Sequence, residues 1–288
     1  MTNFLSLMKK IYIHPLLWVV MAIAVATAHF IELSLLLFLI FIHEMGHAVA
    51  ASFFSWRLKK ISLLPFGGVA EMDEHGNRPL KEEAIVTLAG PVQHVWLIVV
   101  GIGLYQLNFM SEYIYSLFIQ YNLMIFIFNM LPIWPLDGGK ILFLWLSLRE
   151  SFPKAFQRTL TLSIFAVSIF AFCILLIEPM NLNVWIVIGF ILFTLYYEWK
   201  QSRYVFLRFL MERYYGNSNE LRTLKPLVVE ADDLVIHVLE QFQRGCKHPI
   251  IIEKDGKETG ILDENELLHA YFAEKQLTAK VGDLLYLY

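Results

Sequence analysis

The sequence predicts a polytopic α-helical membrane protein with a small α/β domain after its last span, and three observations carry that expectation. The chain is 57% hydrophobic over 288 residues, too apolar for a soluble globule of this size. Runs with few or no charges, long enough to cross a bilayer, recur through its first two thirds. After Trp199 the composition turns basic and aromatic, and from about Leu224 it alternates in the manner of a soluble α/β fold. A net charge of −3 points to neither a nucleic-acid partner nor an acidic substrate. Cys173 in an apolar run and Cys246 in the polar tail are poorly placed to pair and read as reduced, structural residues.

The apolar runs fall at Leu16–Phe30, Leu35–Phe54, Ala84–Leu107, Tyr113–Leu131, Thr159–Ile177 and Val184–Tyr197, which reads as about six spans. Lys9 and Lys10 before the first run, and Ala26-Thr27-Ala28 near its end, imitate a signal peptide. An uncleaved anchor is the better reading. The charge-free stretch Ile11–Ile31 can span a membrane, and cleavage would deprive the next helix of its partner. Lysine and arginine set the orientation. Lys9 and Lys10 precede the first span, Arg57, Lys59, Lys60, Arg78 and Lys81 follow the second, and Lys140, Arg149, Lys154 and Arg158 follow the fourth. The alternate connections carry only Glu32, Glu112 and Glu178, so both termini are expected on the cytosolic side.

The second run, LLLFLIFIHEMGHAVAASFF, holds a polar cluster in its middle. On a helix, His43 and His47 stand four residues apart and project from one face about a turn apart, where both imidazoles can grip one metal ion. Glu44 lies beside them as the carboxylate that takes a proton from water at such a metal. Left unpaired, that acid would cost roughly +2.5 to +3.5 kcal/mol at the centre of a membrane helix. His47 precedes Arg57 by about 15 Å of helix, so the cluster belongs inside the bilayer on its cytosolic side.

Between Lys60 and Asp73 the chain reads ISLLPFGGVAEM, too short to span and broken by Pro65, Gly67 and Gly68. An interfacial loop is one reading. The other is a re-entrant hairpin that turns at the glycines, with a strand edge able to pair with an extended peptide. The third span opens Leu88-Ala-Gly-Pro-Val-Gln-His94, where Gly90 and Pro91 permit close packing. His94 is either a hydrogen-bonded interior histidine or a contributor to a polar site; His14 and His29 read as structural or interfacial. The fourth run ends FNMLPIWPLDGGK. Pro132 and Pro135 should end or break its helix near Asn129 and bring Asp137 back toward membrane depth, with Gly138 and Gly139 allowing a close turn. Whether Asp137 caps the helix that follows or joins the polar cluster is open from spacing alone.

These residues together resemble the site-2 protease family of intramembrane zinc metalloproteases. The likeness has two separated parts, His43-Glu44-Met45-Gly46-His47 within one span and Asn129-Met-Leu-Pro132 with Asp137-Gly138 at the end of a later one. It implies one zinc ion per chain, held by His43, His47 and Asp137, with Glu44 as general base. It further implies that Gly67, Gly68, His94, Asn129, Pro132 and Pro135 contribute to holding the substrate. Within the family the likeness is to members that act in sporulation. That implies removal of the pro-sequence of a membrane-associated sigma factor (pro-sigma-K), inhibitory membrane partners, and a mother-cell membrane around the forespore. No inserted PDZ domain is apparent in the sequence.

Composition sets the domain limits at 1–199 for the membrane part, 200–223 for a basic and aromatic linker, and 224–288 for the tail. Lys200, Arg203, Arg208 and Arg213 interleave with Tyr204, Phe206, Phe209 and Tyr214, as in a helix at a lipid surface. In the tail, Leu227–Val229 and Pro249–Ile252 read as strands, Leu234–Gln243 as a helix, Asp255-Gly256 as a hairpin turn, Gly260–Leu262 as the return strand and Glu264–Phe272 as a helix. That order resembles a cystathionine-β-synthase-type (CBS) module. The resemblance implies an adenine nucleotide as ligand and, for a lone copy, pairing with a second chain. Asp263 and Glu266 stand where many nucleotide-binding members carry a hydroxyl and an acid, and Asp263 would repel phosphate. A docking module without ligand is the alternative. Two other functional classes fit the spans themselves, a metal-ion or proton carrier using the buried His, Glu and Asp, and a catalytically silent scaffold.

Overall fold

The structure is a computed structural model that describes residues 11–13, 15–56, 58–64, 67–72, 78–216, 223–276 and 278–285. Lys9, Lys10, His14, Arg57 and Pro65, which enter the expectations above, lie outside those residues. The chain packs as two units, one holding residues 1–74, 81–132 and 136–141, the other 75–80, 133–135 and 142–288.

Among the described residues of the first unit, a short strand, β1 (Ile11–Ile13), comes first, and helix α1 starts at Pro15 and ends at Ala26. Proline suits a first helical position, where its missing N–H would have had no partner. Ala28, at a φ of 60°, breaks the path, and α2 runs from Phe30 to Phe53. The first expected span is thus a helix of 12 residues, about 18 Å long. Strands β2 (Leu58–Leu64) and β3 (Gly67–Met72) form an antiparallel hairpin beside α2, and β1 pairs parallel with β2, so the sheet order is β1-β2-β3. Of the two readings left open by the sequence, the structure has the hairpin. Gly67 and Gly68 pair with Leu64 and Leu63, so the glycines open the return strand.

Helix α3 (Leu80–Gln106) continues through Pro91, and α4 (Glu112–Asn129) is capped by Ser111 and ends where Pro132 dictates. Leu39, Leu97, Phe118 and Ile125 join α2, α3 and α4 in one buried cluster. Met45, Ala48, Ala51, Trp56 and Val86 form a second. Helix α5 (Asp137–Ser147) follows the break, and its first turn belongs to this unit.

In the second unit α6 (Phe152–Ile177) and α7 (Leu182–Tyr215) pack on each other across a short connection. Phe165, Phe172, Leu176, Phe190 and Phe193 are exposed along them, an apolar surface that hydrocarbon can cover. Among the described residues four helices, α2, α3, α6 and α7, are long and apolar enough to cross a membrane. Helix α7 runs unbroken past Trp199, so the change in composition there is not a break in secondary structure.

The tail carries β4 (Thr223–Leu224), paired with β6 (Cys246–Lys247), and a sheet β5-β7-β8. There β5 (Leu227–Glu230) is parallel to β7 (Ile250–Lys254), and β7 turns antiparallel into β8 (Lys257–Leu262). Asp255 and Gly256, with φ of 53° and 74°, make the hairpin turn. Helix α8 (Val235–Leu239) is shorter than the expected Leu234–Gln243, because the chain turns so that Phe242 is buried and its carbonyl accepts from the amide of Phe152. Helix α9 (Glu264–Phe272) is as expected, and Asp263 with Glu266 forms its capping box; α10 (Val281–Leu284) follows.

Arg213, at the end of α7, is buried in this unit. It donates to Glu264 Oε1 at 2.7 Å and Oε2 at 3.0 Å, to the Gln243 carbonyl at 2.7 Å and to the Cys246 carbonyl, and lies over the rings of Phe209 and Phe242. Burial pushes the Glu264 carboxyl up, against the pull of Arg213. Arg213→Met is expected to destabilise the tail by about 3–5 kcal/mol, since it leaves an uncompensated buried carboxylate. The urea midpoint for proteolysis of the tail measures this, and an unchanged midpoint would refute the role of the pair.

Candidate metal centre

Helix α2 presents His43 and His47 on one face, as their spacing requires, and both are buried with Glu44. Their rings lie edge to face with centroids 4.8 Å apart. Asp137, 94 positions from His43, reaches the same point from the first turn of α5. Its approach depends on Gly138. A Cβ there would stand 2.3 Å from the Met130 carbonyl oxygen and 2.4 Å from that of Leu131, so only glycine lets α5 start so close to the end of α4.

The three ligand atoms form a tight triangle. Asp137 Oδ2 is 3.1 Å from His43 Nε2 and 3.2 Å from His47 Nε2, and the two Nε2 atoms are 3.1 Å apart. A tetrahedral ion with bonds of about 2.0–2.1 Å sets its ligand atoms about 3.3–3.4 Å apart, so the triangle has the right size. Its electrostatics agree. His47 Nδ1 donates to the Val86 carbonyl at 2.8 Å, which in a neutral ring leaves Nε2 with its lone pair. An imidazole lone pair against a carboxylate oxygen repels, and a cation among these atoms reverses the sign. Asp137 Oδ1 accepts from Lys140 Nζ at 3.1 Å. The residues present therefore fit a divalent metal, and the buried set His43, His47 and Asp137 could hold one.

Gly90 shapes the wall of this site. A Cβ there would lie 2.2 Å from His47 Nε2 and 2.8 Å from His43 Nε2, so α3 can pass the imidazoles only as glycine. His94, fully buried one turn on, is turned away from the triangle, with Nε2 3.2 Å from His43 Nδ1 and Nδ1 3.0 Å from Asn122 Oδ1. It does not line a surface open to substrate. Asn129 ends α4 and donates to the Ile125 carbonyl at 3.0 Å; Pro132 lies in the turn that follows, and the Trp134–Pro135 peptide is cis. Gly67 and Gly68 lie in β3. Sequence reasoning missed Asn122 and Lys140. Asn122 was detectable as an amide in an apolar helix, and Lys140 as a cation one turn from Asp137.

A helical fold that buries two histidines four apart, joined by an aspartate after a proline break, defines the class. The chain belongs to peptidase family M50, whose sequence profile matches residues 31–115 and 102–172. It is 47% identical over 285 residues to Stage IV sporulation protein FB of Bacillus subtilis, covering 99% of each chain. It is also 27% identical over 237 residues to a zinc metalloprotease of Methanocaldococcus jannaschii, covering 80% of this chain and 66% of that one. Among solved structures, the site-2 protease from Methanocaldococcus jannaschii matches with a TM-score of 0.52 and 27% identity, over 65% of this chain and 89% of that one. The protein is accordingly a zinc metalloendopeptidase of the intramembrane, site-2 protease type and a multi-pass membrane protein. The carrier and scaffold alternatives give way to this reading.

Proposed function

We propose that His43, His47 and Asp137 hold the zinc ion of this protease and that Glu44 is its general base. The triangle of ligand atoms 3.1–3.2 Å apart is the observation that carries the assignment. Zinc held there supplies a Lewis acid that acidifies a water molecule and polarises the scissile carbonyl. Glu44, on the same helix but outside the ligand set, accepts the water proton as the oxygen attacks and returns it to the leaving amine nitrogen. Lys140 holds the second oxygen of Asp137 and keeps the carboxylate in place. Its cation offsets the cost of an acid at membrane depth.

A helical substrate hides its carbonyls in its own hydrogen bonds and must be unwound before it is cut. Among the described residues β3 pairs with β2 on one side, and an extended peptide could add to its other edge. Gly67 and Gly68, which open β3, let a strand pass close, and Asn129 with the Pro132 to Pro135 bend holds the extended chain beside the metal.

The substrate in this reading is a membrane-associated sporulation sigma factor precursor, pro-sigma-K. The relative named as a sporulation protein supports it. Six crossings with both termini in the cytosol, a mother-cell membrane and inhibitory membrane partners belong to the same proposal. So do the domain limits at 199 and 223. The CBS-like reading of residues 224–288 rests on the order of their strands and helices, with pairing to a second copy. Asp263 caps α9 and accepts from Lys247 at 2.9 Å, which favours docking over adenine-nucleotide binding through that residue.

The test is co-expression with tagged pro-sigma-K, with zinc measured in each purified protein. Wild type should cut and hold one zinc per chain; Asp137→Ala should lose both. Full zinc content in Asp137→Ala would overturn the ligand assignment, and an uncut substrate beside a zinc-loaded wild type would overturn the choice of substrate.

A further inference from the structure

We propose that His94 and Asn122 are positioning residues that fix the tautomer of His43 and so turn its Nε2 lone pair to the metal; the inference rests on the assignment of His43 as a ligand. The hydrogen-bond chain behind His43 has its direction set at one end. The Phe118 backbone carbonyl can only accept, so Asn122 Nδ2, 2.8 Å away, donates to it. That leaves the Asn122 oxygen facing His94 Nδ1 at 3.0 Å. His94 must then carry its proton on Nδ1, its Nε2 holds a lone pair, and His43 Nδ1 donates to it across 3.2 Å. A neutral imidazole has a single N–H. His43 Nε2 is therefore the free lone pair, and it is the atom that meets His47 Nε2 and Asp137 Oδ2.

Reversing any link would place two donors or two acceptors face to face in a region closed to solvent. His94 and Asn122 are both 0% exposed, so water cannot repair such a clash. The relay draws on three helices, α4 for Phe118 and Asn122, α3 for His94 and α2 for His43. His47 reaches the same state in one step, through the Val86 carbonyl. Each histidine of the centre thus has its outer nitrogen held by an acceptor whose own orientation is fixed.

The test measures zinc affinity of the full-length protein, purified in detergent and stripped of metal, by competition with a chromogenic chelator. His94→Leu removes the acceptor for His43 and should weaken zinc binding roughly 10–100-fold, the range found when an outer partner of a metal-bound histidine is lost. His94→Gln carries an amide oxygen to the position of Nε2 and should recover most of that loss. His94→Asn, one carbon shorter, should not. If His94→Leu does not fold, His94→Met, close to glutamine in volume but without an amide oxygen, takes its place, and equal zinc affinities in the Gln and Met variants would mean packing alone and overturn the inference. Wild type and His43→Ala run alongside separate the two possible failures. Zinc lost in His43→Ala but unchanged in every His94 variant overturns the relay alone. Zinc retained in His43→Ala overturns the ligand assignment and the relay with it.

Discussion

Glu44→Gln is expected to abolish peptide cleavage while the protein keeps its zinc. The substitution preserves size and shape inside a buried site and changes one property, the ability of the side chain to take a proton. General bases contribute roughly 10²–10⁴-fold to rate, so cutting of a co-expressed substrate should fall by at least a hundredfold. The ligand triangle is made by other residues, and zinc content should stay at the wild-type level. Cleavage near the wild-type rate would remove Glu44 from the chemistry. Loss of zinc would make it part of the metal's holding set instead.

Gly90→Ala should disrupt the metal centre through a single added methyl group. The added carbon would stand 2.2 Å from His47 Nε2 and 2.5 Å from His47 Cε1, well inside van der Waals contact, with His43 Nε2 at 2.8 Å. Either α3 backs away from α2 or both imidazoles move, and each outcome opens the triangle. Zinc affinity is expected to fall by roughly a hundredfold or more, since even loss of an outer partner costs 10–100-fold. Gly103→Ala is the matched control. It lies in the same helix, a Cβ there meets nothing within 4 Å, and alanine is the better helix former by roughly 1 kcal/mol. Zinc binding should survive Gly103→Ala and fail in Gly90→Ala, as read by titration of the metal-free proteins. Equal affinities would mean that the imidazoles have room to spare.

The residues that carry chemistry differ in how far the sequence could place them. His43 and His47 were legible because a helix of known pitch turns positions four apart to one side, and apolar residues around them made helix the natural reading. The hairpin after α2 was one of two readings open from its glycines and its length, and strand pairing decided for it, with the glycines opening the return strand. The end of α4 at Asn129 followed from Pro132, whereas Asp263 and Glu266, read from the sequence only against a nucleotide site, cap α9. Within the charge-free stretch Ile11–Ile31, residues 11–13 suit a strand as well as a span, and pairing with β2 decided for the strand.

Local rules of this kind act over a turn of helix or a pair of strands. By itself, then, the sequence determined which residues share a face, where elements start and stop, and that a membrane is the solvent for much of the chain. The packing of α2, α3, α4 and the start of α5 decided the rest. It brought Asp137 across 94 positions to the histidines, put His94 and Asn122 behind His43 rather than in a cleft, and made Gly90 the wall of the site. Periodicity says which way a side chain points from its own helix. What it meets depends on how closely neighbouring helices approach, and that is set by the fit of small and large residues along their whole contact.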